Sequence, residues 1–128
     1  MNILIADDHA AVRHGLKEIL ADALPEASFC EACDGDEVLD RLAKVEIALL
    51  LLDINMPRLS GMDVLREVKL DYPKTPVIIV SVQPEDQYAT RCLLAGAAAY
   101  VNKDRANEEL VRAVRKILAG CQCETPQS

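Results

Sequence analysis

Four short aliphatic runs each lead into a residue that can touch a phosphate or a divalent cation. Asn2 to Ala6 runs into Asp7-Asp8, and Ile47 to Leu52 runs into Asp53. Val77 to Val80 ends at Ser81, and Ala97 to Val101 leads through Asn102 to Lys103. Two carboxylates about 4 Å apart repel by roughly 4 kcal/mol at an effective dielectric near 20. Acids brought that close hold a proton, pair with a cation or bind a metal. Oxygen ligands without His or Cys suit a hard ion, and a small open site suits Mg²⁺, or Mn²⁺, with several waters. A carboxylate there can attack phosphorus and form an aspartyl phosphate. Lys103 brings a compact positive charge for a phosphate oxygen, and Ser81 brings one hydroxyl donor.

Each residue also has an ordinary role. Asp8 can cap the first helix, Ser81 can be a turn residue, and Lys103 can be a solvated surface charge. What those roles leave unexplained is the shared position after a strand. Short apolar runs followed by turn signals read as strands buried on both faces, and in an open parallel sheet ligands gather outside the carboxyl ends of the strands.

The segments between the runs carry helical period. Val12, Leu16, Ile19 and Leu20 share one face of a first helix, with Arg13, Lys17 and Glu18 facing away. Asp34, with Glu37 three residues on, caps a second helix through Leu42. Ser60 caps a third, carrying Met62, Leu65 and Val68 and stopping at Tyr72-Pro73. A fourth runs from about Pro84 to Ala95 and ends at Gly96. The fifth places Leu110, Val111, Val114, Ile117 and Leu118 on one face and ends at Gly120. With Ala27 to Ala32 as a second strand, five alternating strand and helix units imply an α/β parallel sheet with helices on both faces.

At 128 residues the chain is one domain with a single core. That core is aliphatic, since there is no Trp, one Phe and three Tyr. A net charge of −7, with no concentrated Lys and Arg, excludes direct nucleic-acid contact by this domain. No apolar run approaches a membrane span and no signal peptide opens the chain, so a cytoplasmic location is expected. Five cysteines, an odd number, speak against a secreted disulfide framework. Cys30-x-x-Cys33 has half-site spacing, but strand positions three apart point to opposite faces. Cys121-x-Cys123 has no nearby His, so both pairs read as ordinary thiols.

The run Leu52-Asp53-Ile54-Asn55-Met56-Pro57-x-x-x-Gly61 closely resembles the phosphoacceptor motif of response-regulator receiver domains. Asp7-Asp8, Ser81 and Tyr100-x-x-Lys103 match that family's other signature positions in order and spacing, and the resemblance covers residues 1–120. It implies a flavodoxin-like (CheY-like) fold with strand order 2-1-3-4-5 and Asp53 phosphorylated by a sensor histidine kinase. It further implies Asp8, Asp53 and the Asn55 backbone carbonyl as Mg²⁺ ligands, with Asp7 acting through water. Lys103 and Ser81 would hold the phosphoryl oxygens, and Tyr100 would turn inward on activation. Val82 would border the approach to Asp53.

Asp7-Asp8-His9, Ser81-Val82, Ala95-Gly96-Ala97-Ala98 and Lys103-Asp104 resemble the NarL/FixJ branch, whose members usually carry a LuxR-type helix-turn-helix. The reading is then a phosphorylation-operated switch and not a turnover enzyme. Its output would be a transcription-regulating domain, with a homodimer forming on phosphorylation. Residues 121–128 read as a tail or the start of a linker, so the chain would be an excised receiver or a stand-alone one acting through protein contacts or a phosphorelay. An aspartate-nucleophile phosphatase is the enzymatic alternative; such enzymes carry a second Asp where Asn55 stands.

Overall fold

Leu49–Leu52 is four leucines in succession, all of them buried, which requires a strand covered on both faces. In the computed structural model the strands are β1 (Asn2–Ala6), β2 (Ser28–Ala32), β3 (Leu49–Leu52), β4 (Val77–Ser81) and β5 (Ala99–Asn102). The helices are α1 (Ala10–Ala23), α2 (Gly35–Lys44), α3 (Gly61–Asp71), α4 (Glu85–Leu94) and α5 (Ala106–Gly120), with a 3₁₀ turn at Lys103–Arg105. The structure describes residues 1–56, 60–83 and 85–120, without the side chains of 85–87 and 120. Pro57 of the motif, the expected helix start at Pro84 and the tail with Cys121 and Cys123 lie outside the described residues.

The five strands form one sheet in the order β2-β1-β3-β4-β5, and every pairing is parallel. The chain leaves β1 toward β2 on one side and returns to β3 on the other, so the crevice of this topology opens above β1 and β3. Alternate residues of each strand feed two cores. Leu4, Ala6, Leu50, Leu52 and Ile79 pack with Val38, Leu65 and Val68. Ile3, Ile5, Leu49, Leu51 and Val80 pack with Leu16, Leu20, Leu110 and Val114. A fully buried Leu or Ile contributes on the order of 1.5–3 kcal/mol relative to an exposed one, so the central strands are the rigid part of the site's platform.

Helix ends follow local chemistry. The Asp34 carboxylate accepts from the Glu37 N–H at 2.9 Å, and Glu37 Oε1 accepts from the Cys33 N–H at 2.8 Å. Ser60 Oγ accepts from the Asp63 N–H at 3.2 Å. After α4 the chain turns at Gly96, whose φ of 111° is left-handed and favours glycine. There the stem of Lys69 occupies the place a Cβ would take. Three sequence readings are corrected. Asp8 does not cap α1: the capping position is His9, and no side chain accepts a hydrogen bond there. Arg13 does not face away; it sits one turn into α1, where side chains lean toward the helix N-terminus and the end of β1, and it is 16% exposed. Strand β3 is also shorter than expected, starting at Leu49, with Ile47 buried ahead of it.

Candidate phosphoacceptor site

The end of β1 and the end of β3 are tied by the Asp53 N–H, which donates to the Ala6 carbonyl at 2.9 Å. On the opposite side of β1 the Asp7 N–H donates to the Ala32 carbonyl at 3.1 Å. These bonds fix Asp7 and Asp53 on adjacent strands at the carboxyl edge, with exposures of only 1% and 4%. Lys103 reaches the same place from the end of β5. Its Nζ lies 2.6 Å from Asp7 Oδ2 and 3.5 Å from Asp53 Oδ2. Asp7 Oδ2 has this ion pair but no well-aligned hydrogen bond. The structure therefore brings Asp7, Asp53 and Lys103 into one cluster.

Asp53 feels opposing influences. Burial pushes its carboxyl above the ordinary range, and the charge of Asp7 adds to the rise. The Asn55 N–H, which donates to Asp53 Oδ1 at 3.2 Å, and the Lys103 ammonium pull it back. Burial prevails, leaving a carboxylate that gains from any further positive charge.

Asp8 sits at the open side of the pocket. Its Oδ1 is 3.1 Å from His9 Nδ1, which is 3.3 Å from Asp7 Oδ1. The His9 N–H also donates to Asp7 Oδ1 at 2.9 Å. Among the described residues, the carboxylates of Asp7 and Asp8 and the His9 ring offer ligand atoms within 4.8 Å of one another. The hard carboxylate oxygens of Asp7 and Asp8 suit a hard divalent cation such as Mg²⁺. The Gly61 N–H donates to the Ile54 carbonyl at 2.8 Å, tying the start of α3 to the residue after Asp53. A Cβ on Gly61 would lie 2.3 Å from Ile54 Cα and 2.6 Å from the Asp53 carbonyl oxygen. The motif needs glycine here for close approach of backbone.

Ser81 ends β4 fully buried, in register with Asn102 of β5. Its Oγ accepts from the Gln83 N–H at 3.0 Å, so its proton is left to be donated elsewhere. Tyr100 is buried, and its hydroxyl donates to the Gln83 carbonyl at 2.8 Å. The ring is thus already turned inward in this structure. Val82, between Ser81 and Gln83, is 59% exposed. Cys30 and Cys33 are free thiols.

Sequence reasoning missed three participants. Gln83 is engaged through its backbone N–H and carbonyl, which no side-chain pattern reveals. Glu31 stands on an edge strand like any solvated acid. Arg13 could have been found, because its place one turn after Asp7-Asp8 directs it back toward them.

Comparison with known proteins agrees with this fold. Residues 3–115 match the family model of the response regulator receiver domain. Response regulator GacA of Pseudomonas viridiflava is 34% identical over 127 residues, which is 99% of this chain and 59% of that protein. The chain therefore spans just under three fifths of that relative's length. A two-component response regulator of the LuxR family from Aurantimonas sp. SI85-9A1 superposes with a TM-score of 0.85 at 27% identity, covering 98% of this chain and 89% of that one. A CheY-like receiver domain protein from Methanospirillum hungatei JF-1 superposes with a TM-score of 0.82 at 26% identity, covering 92% and 93%.

Proposed function

The chain belongs to the response-regulator receiver domain family, and on that premise we propose that Asp53 is its phosphoacceptor. The observation that carries the proposal is a buried carboxylate whose pKa is raised, set beside Asp7 with Lys103 3.5 Å away. An Asp53 oxygen attacks the phosphorus of a phosphohistidine on a sensor histidine kinase. The O–P bond forms as the P–N bond breaks, and the electron pair returns to the imidazole. Lys103 and Ser81 take phosphoryl oxygens and hold them by charge and by a donated proton. Asp8, Asp53 and the Asn55 carbonyl would hold Mg²⁺ or Mn²⁺, with Asp7 acting through water. The ion supplies charge neutralisation for the transferring group. Val82 borders the approach path.

Gln83 supports a route outward. Its N–H rests on Ser81 and its carbonyl on Tyr100, so a Ser81 drawn toward a phosphoryl group disturbs the seat of Tyr100. A phosphoryl group adds roughly one and a half to two negative charges, which is enough to recruit that hydroxyl. The surface of α4, β5 and α5 would read out the change, with Arg91, Arg105 and Arg112 among its exposed residues. The output would be a homodimer or an attached LuxR-type transcription-regulating domain, in a soluble cytoplasmic switch without turnover chemistry. Among the described residues no helix is long and apolar enough to cross a membrane.

A small phosphodonor with Mg²⁺, followed by mass spectrometric mapping, tests the assignment. Labelling should occur on Asp53, vanish in Asp53→Asn and require the ion. Equal labelling of Asp53→Asn and wild type would refute it.

A further inference from the structure

We infer that Arg13 is a positioning residue for the acid pocket, holding the peptide between Asp7 and Asp8 through the Asp7 carbonyl. Arg13 Nη1 donates to that carbonyl at 2.6 Å, and its Nε donates to Glu31 Oε1 at 2.7 Å. The inference rests on the proposed role of Asp7 and Asp8 in holding a divalent cation.

The need for such a residue follows from the topology. Asp7 is the first residue past the end of β1; its N–H still finds the Ala32 carbonyl of β2. The next chain segment turns into α1 at the capping residue His9, whose own side chain makes no cap hydrogen bond and whose N–H is taken by Asp7 Oδ1 at 2.9 Å, which leaves the Asp7 carbonyl to find a donor elsewhere. The Asp7 carbonyl therefore points out of the sheet ladder at the place where the two acids must be aimed. A carbonyl there requires a donor, and Arg13 supplies a charged one. Its guanidinium is a planar fork. One arm is fixed by Glu31 on the edge strand, while another reaches the carbonyl, so β2 and the start of α1 are joined across the end of β1. At 16% exposure Arg13 is held largely out of solvent, whereas Glu31 is 43% exposed. The geometry is that of a strut anchored at the outer end, and not of a free surface ion pair.

The consequence is metal affinity. The orientation of the Asp7–Asp8 peptide sets where the Asp8 carboxylate stands relative to Asp7. Groups that orient metal ligands typically change affinity by about 10- to 100-fold when removed. Arg13 acts on backbone and not on a carboxylate, so the lower end, about ten-fold, is expected. Simple electrostatics predicts the opposite sign. Removing a positive charge near a cation site should strengthen binding, so direction alone separates positioning from charge.

The test is calorimetric titration of Mg²⁺ into wild type, Arg13→Ala, Arg13→Lys and Glu31→Gln, each with its melting temperature. Phosphorylation of Asp53 by a small phosphodonor is then measured across Mg²⁺ concentration. Arg13→Ala should weaken Mg²⁺ about ten-fold and raise the half-saturating Mg²⁺ for phosphorylation equally. Its rate at saturating Mg²⁺ should stay within about two-fold of wild type, since ligands once placed do the same chemistry. Glu31→Gln should shift affinity the same way but less, and Arg13→Lys should recover part, because one donor replaces a fork. A lowered melting temperature with unchanged Mg²⁺ affinity in Arg13→Lys and Glu31→Gln makes Arg13 merely structural and overturns the inference. Tighter Mg²⁺ binding in Arg13→Ala overturns it in favour of charge. Wild type that binds Mg²⁺ but is not labelled on Asp53 refutes the phosphoacceptor reading instead, and the affinities still decide Arg13.

Discussion

Replacing Lys103 by Met removes the cation that the structure sets against both buried carboxylates. At 3.5 Å from Asp53, the attraction is about 5 kcal/mol at an effective dielectric near 20. Drawing the ammonium from water and freezing its side chain opposes much of this. Removing one partner from a buried pair typically costs about 3–5 kcal/mol. Because Lys103 keeps 15% exposure, water can replace part of it, so about 2–3 kcal/mol is expected at pH 8 by the same reasoning. For a domain of this size that corresponds to roughly 8–12 °C in melting temperature.

The pH dependence has a definite sign. Burial, helped by the charge of Asp7, holds the folded Asp53 above its ordinary value, while Lys103 opposes the rise. An acid raised on folding binds more protons in the native state across that window. Its burial therefore weighs increasingly against the fold as pH rises through it, and fully above it. Lys103→Met moves the upper edge of the window higher. The loss of stability should be largest at pH 8 and shrink at lower pH, as the raised Asp53 carboxyl takes up its proton. Urea unfolding in EDTA, followed by far-ultraviolet circular dichroism at pH 8 and pH 5, measures the difference between mutant and wild type. Adding Mg²⁺ at pH 8 should restore part of the loss, since a ligand that binds only the native state stabilises it. An equal loss at pH 5 and pH 8, or no recovery with Mg²⁺, would refute the view that Lys103 offsets buried negative charge.

Gly61→Ala should cost about 3 kcal/mol, because its Cβ would lie 2.3 Å from Ile54 Cα and overpacking against backbone cannot relax cheaply; urea unfolding reads this. Val82→Ala should shorten the half-life of the aspartyl phosphate, since a branched exposed side chain narrows the approach of water; a half-life equal to or longer than wild type contradicts that role. Tyr100→Phe should lose about 1 kcal/mol from the missing bond to the Gln83 carbonyl and should weaken spectral changes in α4 on adding beryllofluoride, as seen by NMR.

The elements were legible because their signals are strong and local. Four consecutive leucines in β3, the Asp34 and Ser60 caps, and Gly96 at a left-handed turn each have one dominant reading. The sheet edge was legible too, because a residue after a buried strand has few places to go; Asp7, Asp53 and Lys103 meet accordingly. Misread residues lie where side chains meet backbone. Asp8 looked like a cap, since an acid before a helix usually is one, yet its carboxylate stands beside His9. Arg13 looked solvated by helical period alone, and period ignores the lean of a side chain along the helix axis.

Gln83 shows why the last step outward could not be read from residue types. Its N–H and carbonyl are held by Ser81 and Tyr100 respectively, and any residue except proline could offer the same two groups. Tyr100 sits in the core shared with α3 and α4 neighbours such as Val68 and Cys92, while Ser81 ends the strand beside it. A shift of Ser81 therefore reaches a ring that cannot move without repacking that core. Close-packed interiors respond to such a shift by changing between discrete arrangements more readily than by gradual deformation. On the proposed switch, two packings separated by a few kcal/mol would be enough for a phosphoryl group to select between them.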